Sequence, residues 1–148
     1  MSVISNQVHL QEYIYDFAKD GGVAASNIVL SNKAGYDPIP VGAIIKGVKA
    51  VVVTACTSAG STTVSWGSVT DVDGYSGTTI AVATLVDNFT VNGWDLDAEL
   101  LWDGTNDHAI TPRVADANAG AFAVLISTAD LTAGKIWFGV EYIMPSVI

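Results

Sequence analysis

The chain has 148 residues, half of them hydrophobic and only 14% charged, which excludes a disordered chain and suits one domain, residues 1–148, with an ordinary core. Fifteen acidic against six basic residues give a net charge of −9, which excludes general nucleic-acid binding because phosphate contacts need a basic footprint. Cys56 is the only cysteine, so an intrachain disulfide and a cysteine metal cluster are both ruled out.

The apolar residues are of a particular kind. Nineteen Val, twelve Ile and thirteen Thr against eight Leu favour the pleated surface of a sheet over a helical core. In chain order, residues 8–18 read as a first strand, because Tyr13, Tyr15 and Phe17 alternate. Lys19-Asp20-Gly21-Gly22 reads as the turn of a hairpin into a second strand within 23–31. Asn32 to Pro40 is a loop, since Pro38 and Pro40 remove two backbone donors.

The longest strand follows, up to Cys56. Ile45, Gly47, Lys49, Val51, Val53 and Ala55 share one face, and Ile44, Lys46, Val48, Ala50, Val52 and Thr54 the other, with the far half expected to be buried on both sides. Its lysines interrupt the apolar run well short of a membrane span. Residues 58–60 turn the chain into a strand over 61–66, and 69–77 form another loop. Residues 78–86 fit a strand or a short helix. Further strands are predicted at 89–91, 96–102, 110–114, 122–128 and 135–144, with 103–107 and 131–134 as turns. In the last strand Ile136, Phe138, Val140 and Tyr142 share a face, opposite Trp137, Gly139, Glu141 and Ile143. Many short strands at this spacing predict an all-β sandwich of jelly-roll type with at most one short helix.

The sequence holds little that points to chemistry. His9 and His108 lie in no metal-ligand or nucleophile-elbow spacing, and no catalytic role is expected. Asp95, Asp97 and Glu99 near Asp103 and Asp107, and the fragment Asp71, Asp73 and Gly74, offer oxygens of the type calcium takes but lack a complete ligand pattern, so a solvated acidic face and no cofactor are expected. Trp66, Trp94, Trp102 and Trp137 end or interrupt apolar runs, which suits packing in a core or between subunits; a carbohydrate-stacking platform is the alternative. The N-terminal residues lack the basic start and apolar stretch of a signal peptide, so assembly in the cytoplasm is expected.

Four segments carry a resemblance. They are Tyr13-Ile14-Tyr15-Asp16-Phe17-Ala18-Lys19-Asp20-Gly21-Gly22-Val23; Ile39-Pro40-Val41-Gly42-Ala43-Ile44-Ile45 running on to Val51-Val52-Val53-Thr54-Ala55; Ser58-Ala59-Gly60-Ser61-Thr62-Thr63-Val64; and Leu131 to Tyr142. In these the chain resembles the head decoration, cement or head-fibre proteins of tailed phages, and residues 67–130 take no part in the likeness. The resemblance implies a β-sandwich that forms a homotrimer on the exterior of the virion, bridges subunits of the major capsid protein and carries no catalytic residues.

The charge distribution fits that picture. Residues 1–50 hold four lysines and four acids, whereas residues 51–148 hold Arg113 and Lys135 against eleven acids. Lys19, Lys33, Lys46 and Lys49 are therefore the expected partner-binding residues, with the acidic remainder toward water. A fibre or spike module that binds host carbohydrate is the competing expectation.

Overall fold

Two long strands form the centre of the structure, a computed structural model that describes residues 7–76, 79–93, 114 and 116–145. β3 (Ile44–Ser58) and β8 (Leu131–Ile143) pair antiparallel along most of their length. β1 (Val8–Asp16) lies on the other side of β8, and β6 (Thr90–Gly93) on the other side of β3, giving a first sheet in the order β1-β8-β3-β6. The second sheet has the order β2-β7-β4-β5, from β2 (Ser26–Val29), β7 (Phe122–Ser127), β4 (Thr63–Ser68) and β5 (Ile80–Ala81). Every pairing among the described strands is antiparallel. The fold is an all-β sandwich, and among the described strands every step in chain order except β4 to β5 passes from one sheet to the other.

The core lies between the sheets and follows the period of two. Ile136, Phe138 and Val140 of β8 are fully buried beside Val48, Ala50 and Val52 of β3 and Tyr13 and Tyr15 of β1. They meet Val64 and Trp66 of β4 and Phe122, Val124 and Ile126 of β7. Phe138 packs tilted against Trp66 at 5.2 Å and against Phe122 at 5.0 Å, while Tyr13 stacks on Phe122 at 4.7 Å. Such pairs add about 0.5–1.5 kcal/mol each beyond the area they bury. The two buried phenols reach partners at the rim: Tyr13 Oη donates to the Asp37 carbonyl at 2.5 Å and Tyr15 Oη to that of Gly21 at 2.7 Å.

The expected hairpin of the first two strands does not form. β1 pairs with β8 in one sheet and β2 with β7 in the other. Asp16 ends the strand early by accepting a hydrogen bond from Ala18 N at 3.1 Å, which caps α1 (Phe17–Asp20). Gly21, at φ 74, then redirects the chain across the sandwich. α2 (Ala117–Gly120) is capped likewise by Asp116, so the described residues hold two short helices where at most one was expected.

Three further expectations need correction. The far half of β3 is not buried on both sides: Val53 is 53% exposed, since no layer among the described residues covers that face. A register shift between Ile45 and Gly47 leaves Lys46 as the extra residue, so Ile45 joins Val48 on the buried side. Residues 131–134, expected as a turn, are the start of β8, where Thr57 pairs with Ala133 and Ser58 with Leu131. The ambiguous 78–86 segment resolves, where described, into the short β5 followed by a 3-10 turn, Val82–Thr84. The strands expected at 96–102 and 110–114, apart from Val114, and the 103–107 turn lie outside the described residues.

Candidate interaction surface

Among the described residues no three His, Cys, Asp or Glu side chains are grouped to hold a metal ion, and no helix is long and apolar enough to cross a membrane. Cys56 is buried against Gly134, and burial pushes its thiol up to about 11, so it stays protonated and unreactive at neutral pH. His9 stacks on Tyr142 at 5.2 Å. A cleft of about 430 Å³ at one end of the sandwich is lined by Cys56, Thr57, Ser58, Thr62 and Val82, among other small residues, and brings no ionised groups together. Of the tryptophans, Trp66 is a core residue at 1% exposure and Trp137 is half-buried, while Trp94 and Trp102 lie outside the described residues. Asp95, Asp97, Glu99, Asp103, Asp107, His108 and Arg113 lie outside them too.

The four lysines singled out in the sequence do not form one patch. Lys19 is exposed on α1. Lys33 is taken up within the fold: its Nζ donates to the Ile14 carbonyl at 2.8 Å and to Asp20 Oδ2 at 2.9 Å, and lies 5.4 Å from the centre of the Tyr36 ring. Asp20 Oδ2 also accepts from Asp16 N at 2.8 Å, so this lysine ties the edge of β1 to α1. Lys46 stands exposed at the β3 bulge, and Lys49 lies one pleat further along the outer face of that strand.

That outer face has the features of a contact surface. Pairing registers place its residues in rows across β1, β8 and β3: Val8, Ile143 and Ile44; Leu10, Glu141 and Gly47; Glu12, Gly139 and Lys49; Ile14, Trp137 and Val51. Gly139 leaves a shallow hollow in the middle, and the Trp137 indole lies across it. A Cβ at Gly139 would stand 2.5 Å from Trp137 Cη2 and 3.1 Å from Leu10 Cδ1. Trp137 Nε1 donates to Glu12 Oε1 at 3.0 Å, which fixes the ring flat against the sheet. Lys135 at the far end reaches Asp16 Oδ2 at 3.5 Å. The alternation of β8 and β3 in the sequence separates these residues from the core set.

No family model matches the chain, and no curated protein matches it. Among solved structures, the chain is similar to one in the cyanophage Pam1 capsid asymmetric unit, with a TM-score of 0.57 and 18% identity over 93% of this chain and 85% of that one. A chain of the acid-stable capsid of the Helicobacter pylori bacteriophage KHP30 aligns over 99% of this chain and 94% of that one at 21% identity, with a TM-score of 0.43.

Proposed function

We propose that this chain is a structural protein of a phage virion, which binds the outside of the assembled capsid and stabilises it by bridging neighbouring subunits of the major capsid protein. The observation that carries this reading is the sandwich held in common, over 93% of the chain, with a chain from a cyanophage capsid. The strand order supports it. β1-β8-β3-β6 facing β2-β7-β4-β5 reads as a jelly roll, an eight-stranded architecture that recurs in viral capsid domains. The high apolar content and low charge suit a protein that spends its working life packed against other chains, here as a homotrimer on the capsid surface, assembled in the host cytoplasm.

No catalytic role is assigned, and neither metal nor cofactor. Among the described residues Lys19 and Lys46 are exposed and free to meet an acidic shell, while Lys49 is half-buried on the outer sheet face and Lys33 contributes mainly by holding α1 in place. Purified protein mixed with expanded shells of its own phage should pellet with them to a fixed stoichiometry. No pelleting at any salt, together with binding to host glycans, would replace this reading with that of a fibre module.

A further inference from the structure

The large apolar side chains left exposed among the described residues are not scattered. Of seven, four lie on the outer face of the β1-β8-β3-β6 sheet: Val8 at 47%, Leu10 at 55%, Ile14 at 36% and Val53 at 53%. Leu10 and Ile14 flank the Trp137 indole, which the Gly139 hollow and the Glu12 hydrogen bond hold in one position before any partner arrives. A rigid aromatic at the centre of an apolar patch is what an interface anchor requires, because little side-chain entropy remains to be lost on binding.

The charges around the patch indicate its occupant. In a chain of net charge −9, this face is neutral among its described residues, with Lys46, Lys49 and Lys135 set against Glu12, Glu141 and Asp16. A basic partner would be drawn to the acidic remainder of the molecule. A face that carries both signs in equal number and repels neither is complementary to itself. The signs are also divided laterally: Glu12 on β1 and Lys49 on β3 flank Gly139 in one row, two strand spacings or about 10 Å apart. We propose that a second copy of this chain packs on this face, with the Glu12 flank of one copy against the Lys49 flank of the other.

The size of the face sets the strength expected. β1 contributes nine residues, about 30 Å along the strands, and three strands span about 15 Å across. A pair of copies then covers on the order of 900 Å² in projection, at the weak end of specific interfaces, so association depends on concentration. Such a face-to-face pair is a two-fold contact, distinct from the contacts that close the proposed trimer, and it is tested on the protein alone, without shells.

Glu12→Cys and Lys49→Cys chains, each also carrying Cys56→Ala so that no native thiol competes, are purified separately, mixed and oxidised. The mixture should give a disulfide-linked pair in at least tenfold excess over either variant alone. On a single chain the two positions are too far apart to bridge. The exposed Leu10→Asp, which leaves the core untouched, should weaken association tenfold or more by light scattering. No mixed pair from protein that light scattering shows to associate, or linked pairs from Glu12→Cys alone, would overturn the assigned contact. A monomer at every concentration would remove the self-packing face altogether. Shell binding measured separately by sedimentation remains a distinct result, so either reading can fail without the other.

Discussion

At the scale of single residues, burial decides which polar groups matter. The Cys56 thiol is pushed from its ordinary 9.0 up to about 11 by desolvation, and Tyr75 from 10.0 up to about 12 for the same leading reason, with Tyr13 and Tyr15 raised as well. Between pH 9 and 11 the unfolded chain gives up the Cys56 proton while the folded chain keeps it. The unfolded state then binds fewer protons, so stability is whole below pH 9 and falls as pH rises through that window. Melting temperature should therefore begin to drop above about pH 9, and Cys56→Ala should remove the part of the fall that precedes tyrosine ionisation. An identical pH profile in the variant would count against the assignment. Lys33 acts in the opposite way, as a charge satisfied inside the fold. Lys33→Ala leaves Asp20, 7% exposed at its side chain, without its cation and should cost about 1–2 kcal/mol, read as a lower urea midpoint.

At the scale of elements, Gly134 shows why β8 can run on past the point where the sequence reads as a turn. It takes φ +144, and a Cβ there would stand 2.6 Å from Cys56 Sγ. Gly134→Ala should destabilise the fold by about 1–3 kcal/mol, through both backbone strain and the lost approach of β3. Denaturant unfolding measures it directly. The same element marks the boundary of what the sequence conveyed. Ile136, Phe138 and Val140 were assigned to one face by alternation and are fully buried, because a period of two maps directly onto a half-buried strand. Leu131-Thr132-Ala133-Gly134 misled because small and glycine residues signal turns locally, whereas here close contact with β3 required them. The first hairpin failed for a similar reason: Asp16 and Gly21 serve as cap and exit of a helical turn, and nothing local tells that from a tight β-turn. The sequence shows Lys33 only as a charge, whereas its engagement with Asp20 and the Ile14 carbonyl depends on a contact between separate segments.

At the scale of the whole molecule, the proposed contact with a shell turns on charge. Lys46, exposed at the β3 bulge, is free to act in long-range attraction to a shell. Lys46→Glu together with Lys19→Glu should slow association with shells and flatten its salt dependence, leaving the melting temperature of the free protein nearly unchanged. Stopped-flow or surface-capture kinetics at two ionic strengths would reveal this, and an unaltered on-rate would place the contact elsewhere. Chelation should leave stability untouched: a melting temperature that falls in EDTA and returns with calcium would reveal a metal site in the acidic segments.

As proposed, the protein binds the assembled shell and stabilises it by mass action. A ligand at 100 times its dissociation constant stabilises the state it binds by about 2.7 kcal/mol per site, and a shell offers many sites. The most direct measurement is the temperature at which bare capsids rupture, followed as this protein is titrated in. The rupture temperature should climb with added protein and level off once the surface sites are filled. A rupture temperature that stays at the bare-capsid value across the titration would contradict the account.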